Sequence, residues 1–297
     1  MKSRCNLAAA LRAATLCVAL SACAPAALVA PGATPKILAS GYQFTEGPAV
    51  DAAGNVYFSD IPAARIYKWT HADGKIALYR ERTAQANGLM FDREGRLVIC
   101  EMGNHRISRD DMHGNVVMLA DAYKGEPLHM PNDLWVDARG GVYFSDFLIP
   151  SGANPQKLQV YYIPPDGTEL RRVTEDLIAP NGLIGTPDGK TLYITDPGDG
   201  KTWSYAVNAD GSLASKKLFV AQGADGMALD EHGNLYLAGG GVSVFAPSGR
   251  KLLEIATPKQ TSNLKFAGRE RRTLFITARD TVYTLDMRVH GASGPRP

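Results

Sequence analysis

Three features of the chain predict an all-β fold, a six-bladed β-propeller with four antiparallel strands per blade. A short apolar strand motif recurs six times, an Asp/Gly turn stands ahead of most copies, and a second Gly turn follows later in most units. The recurring strand reads Val56-Tyr57-Phe58-Ser59-Asp60, Leu97-Val98-Ile99-Cys100-Glu101, Val142-Tyr143-Phe144-Ser145-Asp146, Leu192-Tyr193-Ile194-Thr195-Asp196, Leu235-Tyr236-Leu237-Ala238 and Leu274-Phe275-Ile276-Thr277-Ala278. Successive copies begin 41, 45, 50, 43 and 39 residues apart, the length of one blade.

Each copy is the second strand of its unit. An earlier apolar strand precedes it, and the turn between them is Asp51 to Gly54, Asp92 to Gly95, Asp137 to Gly140 or Asp230 to Gly233, where Asp and Gly supply the turn chemistry. A third strand such as 65–69 and a fourth such as 76–79 are joined by Asp73-Gly74, and the matching turns are His113-Gly114, Asp166-Gly167, Asp210-Gly211 and Ser248-Gly249. The sixth unit has room for only three strands, at 262–266, 273–277 and 281–287. The unassigned segment 36–40 has the length to supply the fourth, so an N-terminal strand closes the ring in the last blade. Nothing resembling a linker interrupts the repeats, which argues against two stacked sandwiches.

The propeller is assigned to 36–290 and a short tail to 291–297. Residues 1–22 read as a lipoprotein signal peptide: Lys2, Arg4 and Arg12 come before or within an apolar stretch that ends in Leu20-Ser21-Ala22-Cys23, which resembles a bacterial lipobox. Cys23 is then the lipidated mature N-terminus, and 23–35, rich in Ala and Pro, is a tether outside the core. The expected location is the bacterial cell envelope, with membrane attachment only through the anchor and the domain facing the periplasm.

The full chain of 297 residues carries a formal charge of +2, and three of its basic residues lie in the segment to be removed, which has no acid. The remainder is close to neutral, so nucleic-acid binding is not expected. Cys5 and Cys17 leave with the signal, so Cys100 is the one cysteine left for the domain; its place in an apolar strand suits a buried, inert thiol. Oligomeric state is left open.

Function enters at one phase of the repeat, where the first strand of each blade begins. The residues there are Glu46, Asn87, Asn132, Asn181, Asp225 and Ser262, each with a side-chain oxygen. Equal phase in a closed ring means equal height, so these groups are expected to converge at one mouth of the central channel. Two carboxylates at such a mouth repel unless a cation lies between them. Carboxylate and amide oxygens without His or Cys match Ca²⁺, with another divalent cation as an alternative, and argue against Zn²⁺. The bland reading is a set of hydrogen-bonding groups that plug the channel with water.

A second ring, Asp60, Glu101, Asp146 and Asp196, ends the second strands of four blades and is either functional or a set of loop caps. Asn87, Asn132, Glu101, Asp146 and Asp196 are the candidate substrate contacts. His105 and His129 lie near the same face, with roles left open. Trp69, Trp135 and Trp203 are expected in the core and 269–272 in a solvated turn.

The motifs Glu46-Gly47-Pro48, Asn87-Gly88-Leu89, Cys100-Glu101-Met102-Gly103-Asn104, Pro131-Asn132-Asp133, Pro180-Asn181-Gly182-Leu183 and Asp225-Gly226-Met227, in this order and at blade spacing, resemble the senescence-marker-protein/gluconolactonase family of Ca²⁺-dependent propellers, which includes regucalcin and bacterial lactonases. The resemblance covers about residues 40 to 287. It implies a metal held by Glu46, Asn181 and Asp225, with Asn132 touching metal, bound water or substrate, and it gives Asp225 the acid/base role. Sugar-lactone hydrolases of the family carry Arg two residues before the position of Asn132, where this chain has Met130; the surrounding run looks closer to lactonases of less polar substrates. The function implied is a Ca²⁺-dependent lactonase or esterase acting on a small-molecule lactone or ester. The alternatives are a phosphotriesterase-like hydrolase on the same metal and a non-catalytic propeller module related to NHL repeats.

Overall fold

The structure is a computed structural model that describes residues 28–147 and 159–292. Six four-stranded antiparallel sheets follow one another along the chain. The first is Thr45–Val50, Val56–Asp60, Arg65–Thr70 and Lys75–Glu81, and the next four repeat the order innermost strand, second, third, outermost. The last sheet combines Asn263–Ala267, Thr273–Ala278 and Thr281–Asp286 with Lys36–Ser40, which pairs antiparallel with Thr281–Asp286. That is the expected six-bladed propeller with the expected closing strand, and the ring has no free edge between its first and last blades.

The turn between first and second strands owes its shape to one aspartate. Asp51 Oδ1 accepts from the backbone N–H of Ala53 and Asn55, each at 2.9 Å, and Asp92, Asp137 and Asp230 do the same two and four residues on. These turns mark the lower face of the ring. The other ends of the innermost strands, where Glu46 and its equivalents stand, mark the upper face.

Between neighbouring blades the strand faces pack as separate apolar clusters. One joins Val98, Ile107, Leu134, Val142 and Phe144 across blades two and three, and another joins Trp135, Tyr143, Tyr162, Leu183 and Ile194 across blades three and four. Trp69 and Trp135 are buried as expected. Trp203 instead lies half-buried on an outer strand, with the ammonium of Lys216 4.3 Å above its ring. Cys100 is buried and free, and burial pushes its thiol well above the usual range. Arg269, Glu270 and Arg272 are exposed and Arg271 half-buried.

Three features depart from expectation. Residues 28–33 are not a free tether: Val29 bridges Met287, Arg288 N–H donates to the Leu28 carbonyl at 2.8 Å, and Leu28, Val29 and Ala33 cover the last blade. Their apolar side chains gain more from that surface than from water. Gly291 and Ala292 belong to the domain as well, since Asp230 bridges Gly291 and Ala292 N–H donates to the Leu229 carbonyl at 2.9 Å. A small hairpin, Ala122–Tyr123 with Glu126–Pro127, is inserted between blades two and three. The signal segment and Cys23 lie outside the described residues. Among the described residues no helix is long and apolar enough to cross a membrane.

Candidate functional site

The upper mouth is built from the first residues of the innermost strands. In blade one, Thr45 and Glu46 pair with Asp60 and Ser59, and the register then slips before Ala49. The slip falls on Gly47-Pro48, where proline has no N–H to give to a ladder, and the resulting bulge re-aims Glu46. Gly47 has φ +53°, and a Cβ there would lie 1.9 Å from the Asn87 carbonyl oxygen of the next blade. Only glycine allows the two blades to come that close. Blades two and three slip at the same height, between Ala86 and Leu89 and between Pro131 and Leu134.

Neighbouring blades are tied together at this height at several junctions. Ser59 Oγ donates to the Asn87 carbonyl at 2.8 Å, Gly182 N–H to the Asp225 carbonyl at 2.9 Å, and Gly226 N–H to the Ser262 carbonyl at 2.7 Å. Across the seam that closes the ring, Ser262 Oγ donates to the Thr45 carbonyl at 2.7 Å. Ser262 was expected among the converging oxygens, but its hydroxyl is spent on this seam and on Thr277 Oγ1.

Glu46, Asp225 and Asn181 come together. The Asp225 carboxylate accepts from the Asn181 side chain and, with Asp133, raises the pKa of Glu46 well above its usual range. Burial is the larger cause for Glu46, which is 4% exposed. Burial and the Asp133 charge likewise push Asp225 up to about 7. Asn132 starts the third blade's innermost strand at the same height and is half-buried. Asn87 is 3% exposed; its amide contacts Met102 Sδ at 3.2 Å, while its Oδ1 has no hydrogen-bond partner among the described residues.

Two members of the site were not legible as such. Position by position, the residue after each converging oxygen is Gly47, Gly88, Asp133, Gly182, Gly226 and Asn263. Blades three and six, which face each other in a six-fold ring, replace the glycine with a polar side chain. The two side chains meet: Asn263 Nδ2 donates to Glu46 Oε2 at 3.0 Å and lies 3.5 Å from Asp133 Oδ2. Asp133 is buried, accepts from Leu134 N–H at 2.8 Å, and is raised chiefly by burial. The signal that could have found both is their departure from the glycine column.

The second ring braces loops. Asp60 accepts from the backbone N–H of Gln43 and Phe44 at 3.0 to 3.1 Å, Asp146 from His129 and Met130 at 2.7 to 3.1 Å, and Asp196 from Ile178 and Ala179, both at 2.8 Å. In each blade those amides lie three and two residues ahead of Glu46, Asn132 or Asn181, so the aspartate fixes the loop that delivers the mouth residue. Glu101 is held instead by Arg106, Asn104 and Ser108 within its own blade. Glu101, Asp146 and Asp196, the candidate substrate contacts, thus all have hydrogen-bond partners within the protein. His105 Nδ1 contacts the His129 carbonyl. Arg279 stands at the rim, its guanidinium 5.5 Å from the Phe44 ring and bonded to Gln260, and its charge pulls against the rise of Asp225.

Among the described residues no three His, Cys, Asp or Glu side chains are gathered into a ready-made metal cluster. The donor set is mixed, with carboxylates accompanied by amides, which is the chemistry of a hard cation. The orphaned Asn87 oxygen and the mutual repulsion of Glu46, Asp133 and Asp225 both fit a cation at this mouth.

Comparison with known proteins agrees with this architecture. The profile of the SMP-30/gluconolactonase/LRE-like region matches residues 44–280. A gluconolactonase of Zymomonas mobilis is 30% identical over 293 residues, which cover 86% of this chain and 82% of the relative. A gluconolactonase of Xanthomonas campestris, known by structure, is 34% identical with a TM-score of 0.80, covering 88% of this chain and 91% of that one. A structure described as a calcium-binding protein, regucalcin, from Agrobacterium tumefaciens has a TM-score of 0.77 at 19% identity, over 89% and 97% of the two chains, and so shares the fold. A repeat-built ring, a mouth of carboxylates and amides, and a match running from the first blade to the last place the chain in the SMP-30/gluconolactonase/LRE-like family.

Proposed function

We propose that the protein is a lactone hydrolase that depends on a divalent cation, Ca²⁺ in the first instance. The observation that carries this reading is the meeting of Glu46, Asp225 and Asn181, with Asp133 behind them, at one mouth of the channel. Glu46, Asn181 and Asp225, with Asn132 beside them, would hold the ion. A bound cation would supply Lewis-acid polarisation of a lactone or ester carbonyl.

The side chains set up the rest. Asp225 is the partly exposed carboxylate of the group and stands where it can take a proton from an attacking water, with less basicity the more directly it also holds the ion. Asn181 orients it through the amide. Asp60, Asp146 and Asp196 brace the loops that carry the mouth residues. Arg279 and Phe44 at the rim offer a cation and an apolar face to the substrate. Export and lipidation at Cys23, with the domain facing the periplasm, belong to the same proposal and rest on the N-terminal sequence.

The names of the two gluconolactonase relatives support a lactone over the phosphotriester or NHL-like alternatives. The test is calorimetric titration of the chain with Ca²⁺, together with hydrolysis assays on glucono-lactone, an aliphatic lactone and an organophosphate. At least one tight site and loss of lactone hydrolysis on chelation are expected. Full activity after exhaustive chelation would sink the reading, and preference for the aliphatic lactone would confirm what Met130 implies.

A further inference from the structure

Below the ion mouth the channel contains a cation of its own. In the last blade the innermost strand Asn263–Ala267 runs without a bulge, so Asn263 and Lys265 point the same way, into the channel. Asn263 touches Glu46 and Asp133; Lys265, one step lower, donates from Nζ to the Met227 carbonyl at 3.2 Å and feels the charges of Asp133 and Glu46. At the equivalent position the other five blades carry Ala49, Met90, Trp135, Ile184 and Ala228, none of them charged. Lys265 is thus a single exception in its column, placed beneath the carboxylates.

Burial of that ammonium is unfavourable by itself, since it pulls the lysine down while Asp133 and Glu46 hold it up. The lower cavity, of about 600 Å³, has mostly apolar walls. Arg279, the other cation acting on Asp225, is exposed at the rim, where water screens it. The charge that goes with the carboxylates inside the channel is therefore that of Lys265.

We propose that Lys265 is a fixed member of the ion site: a bound cation keeps the three carboxylates Glu46, Asp133 and Asp225 ionised, and against them the Lys265 ammonium leaves a deficit of two charges, which selects a divalent ion and limits the site to one. This inference rests on the metal-dependent reading above. Each unit of charge on a bound ion is repelled by Lys265 by the same increment, so a trivalent ion loses one increment more than a divalent ion of similar size. The lysine then acts as a filter on ion charge, independent of the oxygen ligands that fit ion radius.

Competitive equilibrium dialysis of the full chain with Ca²⁺ and Tb³⁺ tests it. The wild-type chain should take one Ca²⁺, and Lys265→Met should raise the Tb³⁺-over-Ca²⁺ preference by about tenfold or more. Lys265→Arg should leave the preference near wild type, Asp133→Asn should lower it, and the double variant Lys265→Met/Asp133→Asn should bring it back towards the wild-type value. If Lys265→Met does not fold, Lys265→Gln read against Lys265→Arg decides the matter, since only the variant that removes the charge should raise the preference. Two tightly bound Ca²⁺ ions per wild-type chain, or an unchanged preference in Lys265→Met or Asp133→Asn, overturns the inference and leaves the metal-dependent hydrolase standing. A wild-type chain that takes no divalent ion overturns both.

Discussion

The two mouths of the channel are made by opposite ends of the same six strands, yet they differ in nearly every chemical respect. The upper mouth is tight and polar, with Glu46, Asn87, Asp133 and Asn263 buried and Asn132, Asn181 and Asp225 half-buried. The lower mouth opens into a cavity of about 600 Å³ lined by Ala49, Leu89, Leu134, Leu183, Ala228 and Phe266. This cavity has the poorer chemistry. Its walls have no set of converging acceptors, whereas the narrow end gathers carboxylates that burial has made basic. The site is therefore assigned by what the side chains can do, not by the space they leave.

The contrast can be broken most directly at Asp225. Asp225→Asn should lower lactone hydrolysis by about 10²- to 10⁴-fold, the range for loss of a general base, as steady-state kinetics would report. Glu46→Gln should weaken Ca²⁺ binding by at least about tenfold in calorimetric titration, because one charged donor becomes neutral. Gly47→Ala attacks the geometry: with φ +53° and a backbone oxygen where the methyl must go, a loss of about 3 kcal/mol is expected in urea unfolding.

The pH dependence sharpens the comparison further. Glu46, Asp133 and Asp225 bind protons more readily folded than unfolded. In chelator, stability from this cluster is fully present below the unfolded carboxylate range and is lost as pH rises towards about 7. Chemical unfolding at pH 5 and pH 8 should therefore favour pH 5 by about 2 kcal/mol for the metal-free chain. Saturating Ca²⁺ should reduce or reverse that difference. The smallest effect belongs to the lower mouth, where Arg93→Ala, at an exposed residue that donates to the Ala138 carbonyl, should change hydrolysis by less than about twofold.

The propeller was legible because its rules are local and repeated. Asp51, Asp92, Asp137 and Asp230 each shape a turn through contacts within four residues, and six similar strands at blade spacing leave few other architectures. The closing strand was legible by subtraction, since one sheet lacked a partner and one segment lacked a sheet. The height of the mouth residues was legible from repeat phase, which placed Glu46, Asn181 and Asp225 together. Asp133, Asn263 and Lys265 were harder, because they matter through contacts across the channel between residues some 130 positions apart. Asp60, Asp146 and Asp196 posed the opposite difficulty: an Asp at a strand end suits both chemistry and loop capping, and the backbone amides that each one meets are set by the fold, not by its neighbours in sequence.

The attachment of Leu28 to Arg288 and of Val29 to Met287 has a directional consequence. Both contacts lie on the lower face, so whatever precedes Leu28 joins the ring on the side away from Glu46 and Asp225. A bilayer that holds this chain by its leading end would hang the ring like a lamp from its cord, with the carboxylate mouth turned outward to the surrounding fluid.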